Sequence, residues 1–341
     1  MRFNFEATGV GSVPFTDPKT ACRVIFDNFD KIPFWPQLIR RSYLENMYTQ
    51  FSERLPGLIL DNGSKTIHID TKNVSKEIEE VYARYLDGDV DFFKISEEYA
   101  GGLYEFLNIL KSAERHTKFV KGQTTGPISF ALSLTDENKR AVIYDKDLFE
   151  VLAKVLAMRV KWQIRRIRKI FPGGIIIFID EPYLVSLGSS YVNIDVAEAS
   201  KKLDELIAAI KGEGALAAIH CCGNTDWSFL LRRDIDILNF DAYTFTKEFF
   251  LYADDIKNFL QKSGTIAWGI VPSSDAVDKE TAKSLLGKME DAIKALAGKG
   301  IEKGSISSMI TPSCGVGTLD EDRAKKILEM TRALSAKLSK K

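Results

Sequence analysis

Short apolar runs alternate along the chain with longer stretches in which apolar residues recur every three to four positions. The short runs end in glycine, proline or a polar residue, which is typical of buried parallel strands, and the longer stretches have the period of amphipathic helices. The predicted strands are Glu6–Val10, Ile32–Trp35, Phe119–Gln123, Ile175–Asp180, Leu216–His220, Ile237–Asp241, Ile266–Val271 and Ser308–Pro312. The predicted helices include Asp17–Phe29, Asp147–Ile170, Ile194–Lys211, Glu248–Lys262, Lys279–Ala297 and Asp320–Leu338.

Eight strands with helices between them predict an α/β fold, namely a single (β/α)8 TIM barrel rather than an open doubly wound sheet. Residues 40–115, between the second and third predicted strands, interrupt the repeat with extra helices and a candidate hairpin around DNGSKTIHID. We interpret them as an insertion. No linker rich in proline, glycine or serine divides the chain, so residues 1–341 are expected to form one catalytic domain.

The balance of positive and negative residues argues against nucleic acids and anionic membranes as partners. The 341 residues include 47 Lys and Arg against 47 Asp and Glu, without a basic stripe, so the attraction to nucleic acids and anionic membranes is missing. The start of the chain lacks the apolar run of a signal peptide, and no stretch approaches the roughly 18 apolar residues of a spanning helix. We expect a cytoplasmic protein whose four cysteines are reduced.

Candidate metal ligands end two of the predicted strands, at the rim where TIM barrels carry their active sites. His220 and Cys222 lie two residues apart, so the strand period points both side chains the same way and Cys221 elsewhere. Cys314 ends the last strand at the same rim. One imidazole and two thiolates are three ligands for Zn²⁺ that leave a position for substrate. The alternative is that these cysteines are small buried packing residues.

Carboxylates and small residues end other strands at this rim. Asp180 and Glu181 are adjacent candidate substrate ligands, and by strand alternation we expect only Asp180 to face the mouth of the barrel. It is either a counter-charge for a substrate amine or a structural cap. Asp241, on a neighbouring strand, is a candidate catalytic group or oxygen ligand of the metal. Gly11 and Ser12 either admit a substrate carboxylate to backbone amides or form a simple turn.

Taken together and in this order, these motifs resemble the cobalamin-independent methionine synthase family. That family lies within a superfamily that also includes uroporphyrinogen decarboxylase and the corrinoid-dependent thiol methyltransferases. The resemblance runs from GSVP at residues 11–14 to PSCG at residues 312–315, and it corresponds to the catalytic C-terminal barrel of the longer two-barrel enzymes. It implies a barrel that transfers a methyl group to a thiol.

The resemblance also implies roles for individual residues. Ser12 and Asp180 match residues that hold the carboxylate and amino groups of homocysteine in the family. The family's zinc ligands are matched by His220, Cys222 and Cys314.

Three positions depart from the family pattern. Asp241 stands where the long enzymes carry a glutamate zinc ligand, and its side chain is one methylene shorter. The turn at residues 126–127 leads into ISFALSL, without the tryptophan that is associated with the folate site of those enzymes. Residues 35–51 lack the His-Gly-Glu stretch whose carboxylate also helps to hold homocysteine. Single-barrel members of the group resemble enzymes that use a methylated corrinoid, free or protein-bound.

From the sequence we therefore infer zinc-dependent methyl transfer from a methyl-corrinoid, such as methylcobalamin, to homocysteine. Trp268, with Trp35 and Tyr243, is a candidate wall for a large planar donor. Coenzyme M as acceptor, methyltetrahydrofolate as donor and a corrinoid protein as partner stay open. Two further alternatives are a uroporphyrinogen decarboxylase-like enzyme and a non-catalytic barrel that binds zinc or a corrinoid.

Overall fold

The computed structural model describes residues 2–72, 74–111, 116–186 and 194–340. Its strands are β1 (Asn4–Ala7), β2 (Leu58–Asp61), β3 (Thr66–Ile69), β4 (Phe119–Thr125), β5 (Thr135–Asp136), β6 (Gly174–Asp180), β7 (Leu216–Cys221), β8 (Ile237–Phe240), β9 (Thr265–Val271) and β10 (Ser307–Pro312). Seven of these strands form one curled parallel sheet in the order β1-β10-β9-β8-β7-β6-β4 within the described residues. A smaller sheet has the order β2-β3-β5.

Helices follow most strands of the large sheet, as the alternating pattern predicts. They are α1 (Pro18–Asn28), α2 (Ser75–Leu86), α3 (Gly101–Leu110), α4 (Pro127–Ser133), α5 (Lys146–Arg168), α6 (Val196–Gly212), α7 (Trp227–Leu231), α8 (Ala242–Phe249), α9 (Ala253–Gln261), α10 (Ala282–Ala297) and α11 (Glu321–Leu338). The single helix predicted at Glu248–Lys262 is in fact two, because Asp241 caps a separate helix α8 and a 3₁₀ turn at Phe250–Tyr252 separates it from α9. None of the helices in the described part of the chain is long and apolar enough to cross a bilayer.

The second predicted strand, Ile32–Trp35, is an extended segment and not a strand of the sheet. This segment, residues 32–37, lies between the two edge strands and donates backbone hydrogen bonds to Lys121 of β4 (3.2 Å) and to Gly11 beyond β1 (3.1 Å). Only isolated bridges result, so the described residues form a TIM-like sheet without a continuous closing ladder. The prolines of this segment, Pro33 and Pro36, lack the N–H groups that a ladder needs.

The hairpin predicted around residues 61–70 is confirmed. Strands β2 and β3 pair in antiparallel register, with Leu58 opposite Ile69 and Asp61 opposite Thr66. Strand β5 adds to β3 in parallel. Strand β5 follows α4, whereas strands β2 and β3, together with α2 and α3, occupy the chain between the extended segment and β4, where the sequence predicts an insertion. Its boundaries at 40 and 115, and the assignment of residues 1–341 to one domain, stay predictions.

Successive side chains along each strand point to opposite faces of the large sheet, so the core consists of two apolar clusters. The outer face of the large sheet packs against the helices, and the inner face holds a smaller apolar cluster near the start of the strands. This inner cluster consists of Phe3, Ile32, Phe119, Ile176, Phe178, Ala218, Ile237, Ala267 and Met309. Further along the same strands the inner face becomes polar, with Lys121, Gln123, Asn239 and Thr311 all fully buried. The apolar cluster therefore forms the floor of a polar site at the carboxyl ends of the strands.

Candidate active site

Four polar side chains stand side by side on neighbouring strands at this end of the sheet. Thr125 of β4 is opposite Asp180 of β6, Asp180 is opposite His220 of β7, and His220 is opposite Asn239 of β8. Residues that are in register on adjacent parallel strands point to the same face. We call Thr125, Asp180, His220 and Asn239 the polar row.

Three members of the polar row carry a buried polar atom that has no hydrogen-bond partner among the described residues. These atoms are Thr125 Oγ1, Asp180 Oδ1 and His220 Nε2. A buried polar atom without a partner costs about 1–3 kcal/mol, and such atoms are rare in folded proteins. Three of them on adjacent strands mark the polar row as a candidate ligand site.

The predicted metal ligands converge at the polar row. One ring nitrogen of His220 and the sulfur atoms of Cys222 and Cys314 lie within 4.8 Å of one another. The unpartnered Nε2 atom belongs to the same histidine. One nitrogen and two sulfur donors form a possible metal site whose chemistry is compatible with zinc and leaves a position for a further ligand.

The two cysteines lie in loops that follow β7 and β10, and hydrogen bonds from a neighbouring loop hold Cys314. The Ser273 hydroxyl, in the loop after β9, accepts a hydrogen bond from the Cys314 amide (3.0 Å) and donates one to the Cys314 carbonyl (2.8 Å). Cys222 follows Cys221, whose side chain is buried away from the site as predicted. Gly223 comes next, and a Cβ there would lie 2.2 Å from a methyl group of Val185, so the Val185 side chain packs directly on the backbone of that loop.

The two thiols share one proton, and the negative charge lies on Cys222. The pKa of Cys222 falls to about 4, chiefly because the Cys314 thiol donates a hydrogen bond to its thiolate and further because His220 is close. The pKa of Cys314 rises well above its usual value for the same reason, since it keeps its proton for Cys222. Burial lowers the pKa of His220, but the Cys222 thiolate and Asp180 raise it more. A thiolate, the form that binds metal, is thus present at neutral pH.

Asp180 shares the polar end of the inner face with a buried lysine. Burial raises the pKa of Asp180 to about 6, while His220 and Lys121 lower it. The Lys121 ammonium is fully buried 4.4 Å from the Phe178 ring, and burial lowers its pKa to about 7. It donates hydrogen bonds to the Val10 carbonyl and to the Gln123 side chain. Lys121 therefore supports the turn after β1 from below.

That turn carries the predicted substrate residues Gly11 and Ser12. A Cβ at Gly11 would lie 3.3 Å from the Gln123 side chain, so the turn packs closely on the support that Lys121 provides. The Ser12 hydroxyl accepts a weak hydrogen bond from the Gly317 amide (3.4 Å), beyond Cys314. The structure thus places Ser12 beside the loop that carries a candidate metal ligand, and its role in substrate binding stays a prediction.

Glu181 and Asp241 are both occupied in capping helices. The fully buried Glu181 carboxylate accepts hydrogen bonds from the amides of Ile128 (3.0 Å) and Ser129 (2.8 Å) at the start of α4, and these contacts give no support to its predicted role in substrate binding. Asp241 Oδ1 accepts from the Thr244 amide (3.0 Å) at the start of α8, and Asp241 lies outside the cluster of three ligands. Its role in catalysis or metal binding stays a prediction.

Trp268 does not line the rim. Strand β9 continues to Val271, so Trp268 lies inside the strand, where it is fully buried and donates to the Ser308 hydroxyl (3.1 Å). Trp35 is likewise buried. The half-buried Tyr243 donates from its hydroxyl to Glu280 (2.9 Å). An exposed aromatic ring three residues after Asp180 is Tyr183, which the sequence analysis did not single out.

Sequence reasoning also missed Thr125, Lys121 and Asn239. The sequence contains a signal for them, because each is a polar residue in a buried strand. Side chains an even number of positions apart on a strand face the same side, so each of the three shares the inner face of its strand. Strand register brings Thr125 against Asp180 and Asn239 against His220. Lys121 is opposite Ile176 and interacts with Asp180 through its charge.

Comparison with known proteins bears on this arrangement. No family model matches the chain, and no curated protein sequence matches it. Among solved structures, a B12-independent methionine synthase from Shewanella sp. W3-18-1, in complex with selenomethionine, superposes with a TM-score of 0.60 at 14% identity over 98% of both chains. A putative vitamin-B12 independent methionine synthase from Listeria monocytogenes gives 0.58 at 14% identity, over 99% of this chain and 98% of that one. A methyltransferase from Methanosarcina mazei gives 0.61 at 12% identity, over 99% and 94%. The chain shares their fold. At this level of identity the likeness is one of fold alone.

Proposed function

We propose that the protein is a zinc-dependent thiol methyltransferase that methylates homocysteine to methionine with a methyl-corrinoid as donor. The observation that carries the proposal is the convergence of His220, Cys222 and Cys314 next to the unpartnered carboxylate oxygen of Asp180. Three soft ligands beside one buried anion fit a thiol that also bears an amine. The names of the three structural neighbours support methyl transfer as the class of reaction.

In this proposal, the metal is held by His220 through Nε2 and by the sulfurs of Cys222 and Cys314. Bound zinc would supply Lewis acidity that lowers the pKa of an acceptor thiol from about 8.5. Three protein ligands leave one coordination position for that thiol. The protein's own contribution is to hold the acceptor in line with the methyl group and to exclude water from the floor of the site.

Asp180 favours homocysteine over a sulfonate thiol such as coenzyme M, because a buried carboxylate stabilises an ammonium group and has no use for a sulfonate. In this proposal, Ser12 in the turn next to Lys121 receives the carboxylate of the same amino acid. The selenomethionine in the Shewanella structure supports an amino acid of this kind as ligand of the fold. A bound methyl-corrinoid would supply its methyl group to the acceptor sulfur and keep the electron pair of the methyl bond, and the thiol proton would be released to solvent.

Two observations support a corrinoid as the methyl donor: the sequence differs from that of the folate-dependent enzymes, and the rim of the site has exposed apolar residues. The segment after the turn at residues 126–127 lacks a tryptophan, which argues against folate. Tyr183 and Val185, in the turn after the end of β6, are 40% and 47% exposed and would give the rim an apolar edge for a large planar donor, free or carried by a corrinoid protein.

The first experiment measures zinc by elemental analysis and zinc K-edge absorption with and without homocysteine. Native protein should hold one zinc per chain and gain one sulfur ligand with the thiol. Cys314→Ser should lose stoichiometric zinc and turnover. Cys221→Ser is the matched control, because the adjacent Cys221 points away from the site and should keep both. Full activity in Cys314→Ser would contradict the proposed site.

The second experiment identifies the donor. Zinc-loaded protein is incubated with homocysteine and either methylcobalamin or methyltetrahydrofolate, and methionine is measured by mass spectrometry. Methionine from methylcobalamin alone supports the proposal. Methionine from methyltetrahydrofolate alone would leave the acceptor site intact and refute the corrinoid donor.

A further inference from the structure

Asn239 has every polar atom of its side chain engaged, although the side chain is fully buried on the inner face of β8. Its Nδ2 atom donates to the Ala267 carbonyl of β9 and to the Thr311 hydroxyl of β10, at 2.8 Å each. Its Oδ1 atom lies 2.5 Å from Nδ1 of His220. The side chain therefore connects the histidine of the candidate metal site to two further strands.

These contacts fix which way the amide points and which nitrogen of His220 carries a proton. A backbone carbonyl only accepts, so the atom that faces Ala267 has to be the NH₂ group of Asn239. The atom that faces His220 is then the amide oxygen, which also only accepts. Nδ1 of His220 consequently carries the hydrogen, and in the neutral ring Nε2 is left with the lone pair that binds a metal.

We propose that Asn239 is a positioning residue that holds His220 with Nδ1 protonated and Nε2 presented to Cys222 and Cys314. The inference rests on the metal site proposed above and adds the residue that orients its histidine. Thr311 belongs to β10, and Cys314 follows the end of that strand by two residues, so Asn239 also connects the histidine to the strand that leads to the third ligand.

Two substitutions separate positioning from general stability. Asn239→Leu removes the acceptor for His220, and outer partners of this kind are worth about 10- to 100-fold in metal affinity. Asn239→Asp keeps an oxygen for the Nδ1–H group but cannot donate to Ala267, so it should lose stability while its zinc affinity stays closer to that of the native protein. Thr265→Val is the control, because it removes a buried hydroxyl pair with Ser307 at the opposite end of the sheet and should leave zinc affinity unchanged.

Zinc dissociation constants are measured by chelator competition, and ring protonation is measured by long-range ¹H–¹⁵N correlation. The chain has only three histidines, so the His220 signals can be assigned by substitution. The expected spectrum of the zinc-loaded native protein shows Nδ1 protonated and Nε2 bound. Equal loss of affinity in the Leu and Asp variants, native affinity in Asn239→Leu, or zinc on Nδ1 would overturn the inference.

The metal-free native protein supplies a readout that does not depend on the proposed function. Nδ1 of His220 should still be protonated and hydrogen-bonded there, whether the ring is neutral or charged. If the protein binds no zinc but shows this proton, the proposed function fails and the orientation by Asn239 stands. An unprotonated Nδ1 overturns the inference even if Asn239→Leu does not fold.

Discussion

Replacing Asp180 with asparagine is expected to stabilise the metal-free protein while weakening its hold on an amino-acid thiol. The substitution keeps the shape of the side chain and removes its charge. Burial raises the pKa of Asp180 from 3.8 to about 6. A carboxyl group with that pKa favours its neutral form in the folded chain by about 3 kcal/mol. We take this as an upper limit, because Oδ1 is buried but the residue as a whole is partly exposed.

The sign follows from proton linkage. A raised pKa contributes stability that is complete below pH 3.8 and is lost as the pH rises through about 6. At pH 7.5 the native protein carries the whole penalty of the buried charge and Asp180→Asn carries none. Urea unfolding at pH 7.5 should therefore show the variant to be more stable by up to about 3 kcal/mol, and the two proteins should converge near pH 4.

The functional half of the prediction uses a double-mutant cycle between protein and ligand. Native protein and Asp180→Asn, both loaded with zinc, are titrated calorimetrically with homocysteine and with 4-mercaptobutyrate, which lacks only the amine. A hydrogen bond between the buried carboxylate and the ammonium group is worth about 1.5–3 kcal/mol. The variant should therefore lose roughly 10- to 150-fold in affinity for homocysteine and little for 4-mercaptobutyrate.

Two results would refute this reasoning. Equal losses of affinity for both thiols would mean that Asp180 does not contact the amine. A metal-free variant that is less stable than the native protein at pH 7.5 would mean that the buried carboxylate is satisfied by a partner, and that the unpartnered oxygen is not a sign of a ligand site.

Two further predictions concern the support of the site. Glu181→Gln places an amide where the Ile128 and Ser129 amides donate, so at least one buried donor loses its acceptor and the free energy of unfolding in urea should fall by about 1–3 kcal/mol; no change would show that Glu181 is not the cap of α4. Lys121→Met removes an ammonium whose pKa burial lowers from 10.5 to about 7. The stability linked to that low pKa is present above pH 10.5 and is lost as the pH falls through about 7. The free energy of unfolding of the native protein should therefore fall over this range by an amount that Lys121→Met does not show. Parallel curves of unfolding free energy against pH for the two proteins would contradict the lowered pKa of Lys121.

The convergence of His220, Cys222 and Cys314 could be anticipated because it depends on two regularities. Side chains two residues apart on a strand share a face, and the carboxyl ends of parallel strands share a rim. The cysteine adjacent to Cys222 could be assigned to the opposite face by the same argument, and Cys221 is indeed buried away from the site.

Other features depend on distances that no local pattern encodes. Ile32–Trp35 has the apolar pattern of a strand, yet its prolines cannot complete a ladder between two edge strands. Trp268 is predicted to line the mouth of the barrel, but it alternates with Ala267 of the inner cluster and is fully buried on the helix side of β9. The contact between Asn239 and His220 follows from the register of β7 against β8, which the sequence of either strand leaves open.

The order of the strands has a consequence for how the protein is made. Strand β10 lies between β9 and β1, so the sheet is completed only when residues some 300 positions apart come together, as in the hydrogen bond from Phe3 to Ser307. Cys314 follows Cys222 by 92 residues. At about 5–20 residues per second, a ribosome delivers this last cysteine roughly 5–18 seconds after the first two ligands. If the proposed metal site is used, nascent chains would carry an incomplete ligand set during synthesis, and metal capture would be one of the last events in the biogenesis of the protein.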